Sequence, residues 1–423
     1  MIKKFFAVIF GLSISLLFIE ITGNIFNLKP GKWSRYYEYN STYGWYTWSG
    51  ADHLYGKHSE QTNGYKTRGK KPSKNKKIIL LGDSAVETSH KLEEMPEKYL
   101  EDHLPDYSVI SFGSWGWGND QQLLHLKNNI KSIKPEIIVL WWITNDLSDN
   151  MVKQGFGGPK PTFKIQNNKL VYPNVDMGDE YLPAKFYRFY TYRLLNKLYQ
   201  LSKQKFKNND NFDFESKETV KCNQNTNYIS YPDLLKNIFN EEVYDNTKRT
   251  LGNKPRPYDR DVEIFPDNKD EWINEQINKT NKNFELNFSD ELSWNRNIIT
   301  KFEKKKIKTA NLLIKEMQKI SIENNSKFIV FFPIIHQNRF YSIQKDELVK
   351  ICFRGIELEY SNKNADKKLE LIFDGIENIY ITNNMPKFGD NFEDMFDGHL
   401  NNDANNYQMK ELSERLRLIK LGF

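Results

Sequence analysis

Hydrophobic positions fall into two alternating rhythms along much of the chain. The continuous apolar run Ile78 to Leu81 suits a strand buried on both faces; Ser108 to Phe112 is strand-like, Ile137 to Trp142 and Phe328 to Phe332 are further apolar and aromatic strands, and Ile379 to Ile381 is a weaker fifth. Between them, apolar residues recur at helical spacing: Leu123, Leu126, Ile130 and Ile133 from about Gln121, then Ile307, Ala310, Leu313, Ile314, Met317 and Ile320. Pro135 stops the first helix, and a last one is expected from about Ala404, where Met409, Leu412 and Leu416 align. Strand, helix, strand at this spacing predicts parallel βαβ units, in which ligands gather at the carboxyl ends of the strands. No repeat of fixed period is visible.

Two segments break the rhythm. Phe5 to Thr22 runs 18 residues with one charge, Glu20, and spans about 27 Å as a helix. No small-residue cleavage box follows it, so an uncleaved anchor is expected, with Lys3 and Lys4 on the cytoplasmic side and the remainder outside the cytoplasm. From Asp149 to about Asn297 the strand-helix pattern lapses. This region reads as one long insertion, with an aromatic, helix-like stretch at Phe186 to Leu201 and a polar segment at Lys203 to Asn227. The expected division is therefore an anchor, or else a signal, at 1–25, a connecting segment at 26–76, a core first half at 77–150, the insertion at 151–300 and a core second half at 301–423.

Composition narrows the function classes. With 28 Phe, 23 Tyr and 9 Trp the chain is too rich in ring surface to remain unfolded in water. A net charge of +6 from 61 basic and 55 acidic residues is mild, and argues against a nucleic-acid partner. Seven basic residues between Lys66 and Lys77 read as a solvated loop before a strand. Cys222 and Cys352 exclude a disulfide framework and a four-cysteine zinc site but allow one bridge. No histidine pair has metal-ligand spacing with a carboxylate, so neither a metal nor another cofactor is expected.

Candidate chemistry gathers where strands end. Gly82-Asp83-Ser84 sets a serine directly after a buried strand, and a serine needs a base to act as nucleophile. Asp397-Gly398-His399 offers one: the imidazole takes the serine proton while an aspartate fixes its tautomer. A tetrahedral oxyanion needs donors, which the Gly116 backbone N–H and the Asn145 amide can supply. Trp115 and Trp117 flank Gly116 and are weighed equally as packing residues and as sugar-stacking rings. His336, after the fourth strand, is a rival base; His90, His103 and His125 are expected to be structural or exposed. Asp146 and Asp149 are expected to support the turn after Asn145.

Together, Lys77 to Ser84, VISFGSWGWGNDQ (109–121), the block ending ITNDLSDN at Asn150, and the terminal DGHLN resemble the SGNH/GDSL hydrolases. The resemblance covers about 77–150 and 307–418. It implies a three-layer α/β/α sandwich of flavodoxin-like type with a parallel sheet and a long insertion. It also implies Ser84 as nucleophile, His399 as base, and Ser84 N–H, Gly116 and Asn145 as the oxyanion hole. The position three before the histidine, where many members have Asp, is Phe396. The orienting acid is then Asp397, as in the D-x-H variant of membrane-linked relatives acting on polysaccharides, with Asp394 as runner-up. The implied activity is that of a serine esterase cleaving an O-acyl, chiefly O-acetyl, ester of a small molecule or cell-surface glycan. The alternatives are an O-acyltransferase modifying polysaccharide and a non-catalytic glycan-binding module.

Overall fold

The computed structural model describes residues 2–25, 37–40, 42–47, 63–87, 92–155, 158–173, 294–297, 299–333, 348–353, 355–382 and 402–420, with isolated positions between 191 and 274. In chain order the elements begin with α1 (Ile2–Ile25) and the hairpin β1 (Tyr37–Asn40) and β2 (Gly44–Thr47). The first half of the core follows: β3 (Lys76–Leu81), α2 (Pro96–His103), β4 (Tyr107–Phe112), α3 (Asn119–Ile133), β5 (Ile137–Trp141) and the single turn α4 (Asp146–Asp149). Short hairpins β6 (Gln154–Gly155), β7 (Gly158–Pro159), β8 (Lys164–Gln166) and β9 (Lys169–Val171) come next, then β10 (Val220–Lys221). The second half comprises α5 (Lys301–Glu323), β11 (Lys327–Phe332), β12 (Val349–Phe353), β13 (Ile356–Tyr360), α6 (Asn362–Phe373), β14 (Ile379–Ile381) and α7 (Asn402–Lys420).

The five apolar runs of the sequence form one parallel sheet in the order β14-β11-β5-β3-β4. Numbered by appearance in this sheet, the order is 2-1-3-4-5, the flavodoxin-like doubly wound arrangement, whose switch point lies between β3 and β5. Side-chain alternation divides each strand between two cores. Ile79, Leu81, Ile110, Phe112, Ile138, Leu140 and Val330 face α3, α5 and α6; Ile78, Leu80, Val109, Val139, Ile329 and Phe331 face α2 and α7. Helices thus cover both faces, which explains why the strands read as unbroken apolar runs.

α5 starts with a capping box, Thr300 accepting from Glu303 N while the Glu303 carboxylate accepts from Thr300 N. The Ile419 carbonyl near the end of α7 accepts from Lys327 Nζ at the start of β11, so its C-terminus lies at the amino edge of the sheet. Nearer its start, Asn406 Oδ1 lies 3.0 Å from His103 Nε2 at the end of α2.

Three features depart from the expected layout. The connecting segment is partly built into the molecule, because Trp45 of β2 is fully buried against Trp115 and Trp117. A hairpin, β12 and β13, interrupts the second half of the core and pairs with β10 of the insertion to make a separate antiparallel sheet. A Cys222–Cys352 disulfide ties that sheet together, which resolves the open question of the two thiols. Among the described residues, no helix is long and apolar enough to cross a membrane. Counted over the whole sequence, Phe5 to Thr22 still has one charge in 18 residues, and α1 exposes Phe6, Phe10, Leu12, Leu17 and Phe18.

Candidate functional site

Three strand ends meet at the carboxyl edge, where β5, β3 and β4 are neighbours. Close approach of their turns demands glycine at two places: a Cβ on Gly82 would lie 2.4 Å from Val86 Cγ2, and one on Gly113 would lie 2.7 Å from the Asp83 carbonyl. Gly82 N also donates to the Phe112 carbonyl at 3.0 Å. After Gly82 the chain turns at once, Asp83 Oδ1 accepting from Ala85 N at 2.8 Å and the Asp83 carbonyl accepting from Glu87 N. This turn leaves Ser84 half-buried between the buried residues Asp83 and Ala85.

Gly116 sits in the left-handed region at φ +69°, within a turn in which Trp117 N donates to the Ser114 carbonyl. Asn145 is exposed at the start of α4, and its amide is held by two carboxylates. Nδ2 donates to Asp83 Oδ2 at 2.8 Å and to Asp149 Oδ2 at 2.9 Å. Both amide hydrogens are therefore engaged, so an incoming oxyanion must share or take one of them. The Asp83 bond links the residue preceding Ser84 directly to Asn145 across the β3/β5 switch point. Sequence reasoning gave Asp83 no role; the available signal was a carboxylate immediately before the serine at a strand end.

Behind the rim lies a buried polar layer. Asp146 accepts from Asn119 Nδ2, Gln122 Nε2 and Ile143 N, which locks α4 to the start of α3. Asn150 Oδ1 accepts from Asp120 N, and a Cβ on Gly118 would press on that same oxygen at 2.7 Å. Lys160, from the insertion, is buried with its ammonium 2.8 Å from both Asp120 oxygens and bonded also to the Asp149 carbonyl. Burial, reinforced by the Asp83 charge, raises the Asp146 carboxyl well above its ordinary range. Burial is also the main cause pushing Asp149 up to about 7; Asp83 and Asp120 act in the same direction, while Asn145 and Lys160 oppose them.

The tryptophans require a correction. Trp117 has no exposed surface and Trp115 retains only 9%, so neither offers a ring face for a sugar. Their indoles serve packing: Trp117 Nε1 donates to the Trp45 carbonyl, Trp45 Nε1 to the Trp115 carbonyl, and Trp115 Nε1 to the Glu87 carbonyl. Nearby His125 is fully buried among Tyr43, Phe112 and Trp117, where burial pushes its imidazole down to about 3. His103 closes α2, is half-buried, and has its ring Nε2 3.0 Å from Asn406 Oδ1.

The structure brings Ser84, Gly116 and Asn145 to one edge of the sheet. Asp397, His399, the runner-up Asp394, and His90 and His336 lie outside the described residues. Among the described residues no cluster of three His, Cys, Asp or Glu side chains could hold a metal ion. Compared with known protein families and with characterised proteins, the chain matches none.

Proposed function

We propose that this chain is a serine esterase of the SGNH type, anchored in a membrane by its N-terminus and acting outside the cytoplasm on O-acyl, chiefly O-acetyl, esters. One observation carries the reading. The Asp83–Asn145 hydrogen bond joins the serine turn to the asparagine turn at the switch point of a doubly wound sheet, where such sheets bind ligands.

In this mechanism Ser84 Oγ attacks the ester carbonyl as His399 takes its proton, with Asp397 orienting the ring. The oxyanion accepts from Ser84 N, Gly116 N and Asn145 Nδ2. Collapse of the tetrahedral adduct breaks the acyl C–O bond, and His399 returns the proton to the departing alcohol. Water, deprotonated by His399, then attacks the acyl-enzyme; the carboxylic acid leaves and Ser84 is regenerated. The glycan substrate class rests on the D-x-H resemblance, since the buried Trp115 and Trp117 give it no support.

The disulfide suits an oxidising compartment, and the apolar run Phe5 to Thr22 suits an anchor that leaves the catalytic region there. Labelling with a fluorophosphonate followed by peptide mapping tests the nucleophile without knowledge of the substrate. The adduct is expected on Ser84 and lost in Ser84→Ala; an unlabelled chain, or an adduct elsewhere, overturns the reading.

A further inference from the structure

The charge in the apolar run of α1 is Glu20, two residues before its end. Its carboxylate accepts from both the backbone N and Oγ1 of Thr191, at 2.8 and 2.9 Å. These bonds fasten the aromatic stretch of the insertion to the outer end of α1. Thr191, Tyr192, Leu194, Leu195 and Leu198 are helical, and Leu195 and Leu198, three apart and so on one face, are 57% and 55% exposed. Between Glu180 and Asp210 the sequence holds seven lysines and arginines and no aspartate or glutamate, interleaved with Phe, Tyr and Leu. Exposed leucines beside aromatic and exclusively basic neighbours are the composition of a helix that lies in a membrane interface, with its apolar face in the acyl boundary and its cations at anionic headgroups.

We propose that the segment carrying the helical residues Thr191, Leu194, Leu195 and Leu198 is a second membrane contact, lying in the outer headgroup region of an anionic bilayer with Leu195 and Leu198 turned into the lipid. This rests on the reading of α1 as a membrane span: a spanning α1 sets Glu20, and with it Thr191, at headgroup depth. The insertion then holds the protein against the membrane surface through lipid as well as through the anchor.

The native thiols are paired, so one introduced cysteine can be labelled selectively in the full-length chain. Leu195→Cys, Leu12→Cys in α1 and the exposed Leu371→Cys on α6 would each carry a polarity-sensitive fluorophore. The proteins are placed in vesicles of phosphatidylcholine, with or without phosphatidylglycerol, containing lipids with a nitroxide at a shallow or a deep acyl position. Position 195 is expected to lose about half its emission to the shallow quencher, less to the deep one, and less in pure phosphatidylcholine. Position 12 should respond more to the deep quencher, and position 371 to neither. Quenching at 12 but not at 195 overturns the proposal and leaves the anchor standing. No quenching at either removes the anchor reading and this proposal with it. Deep quenching at 195 equal to that at 12 overturns an interfacial placement.

Discussion

Asn145 carries the site's main electrostatic conflict. Its amide must stabilise an anion in the proposed reaction, yet two carboxylates already hold it. The two are not equivalent. Asp83 is fully buried and also closes the serine turn through Ala85 N, so it is the fixed partner. Asp149 is half-buried, and burial pushes its carboxyl up to about 7. Ionised Asp149 places a negative charge against the oxyanion donor, and protonation removes it. In the proposed reaction kcat/KM on a small aryl acetate should rise as His399 loses its proton and fall as Asp149 loses its own, and Asp149→Asn should remove only the fall; a pH–rate profile checks it. Asn145→Ala should lower kcat by roughly 10²- to 10³-fold with KM little changed. Asp83→Asn should lose less, since an amide oxygen can still accept from Asn145.

At the scale of elements, the site depends on α4 being clamped between α3 and the insertion. Lys160 and Asp120 form a buried pair that closes the loop after α4 over the start of α3. Burial raises the Asp120 carboxyl despite the opposing ammonium, so removing the cation leaves an uncompensated buried acid. Lys160→Met should therefore cost about 3–5 kcal/mol in urea unfolding, and Lys160→Met with Asp120→Asn appreciably less. The β10–β13–β12 sheet is another such tie, joining insertion to core through strand pairing and the disulfide.

For the whole molecule, the doubly wound order decides which residues can meet. The β3-α2-β4 unit and the reversal into α3 and β5 set the switch point between β3 and β5, with α3 on one face of the sheet and α2 and α7 on the other. The proposed base thus comes from more than 300 positions beyond the serine. If Asp397 orients His399, Asp397→Asn should depress kcat with KM nearly unchanged, since only the transition state contains the imidazolium. An equal or larger loss from Asp394→Asn, measured in parallel, would move the role there.

Short apolar and aromatic runs placed every strand of the central sheet, and period-3.6 patterning placed the helices α3, α5 and α7. Ile78 to Leu81 or Phe328 to Phe332 can be buried on both sides in only one kind of layer. The strand-end positions of Ser84, Gly116 and Asn145 were legible for the same reason. What the pattern could not contain is distance. The Asp83–Asn145 bond joins positions 62 apart, and Lys160–Asp120 joins positions 40 apart; both exist only because β3, β5 and α3 are adjacent in space. Trp115 and Trp117 show the same limit. The sequence left them evenly between packing and sugar stacking, and the docking of the β1–β2 hairpin, with Trp45 reaching across 70 positions, buries them. Local sequence sets period, turn and chemistry type; burial and partnership depend on surfaces brought together from distant segments, and tertiary structure alone decides those.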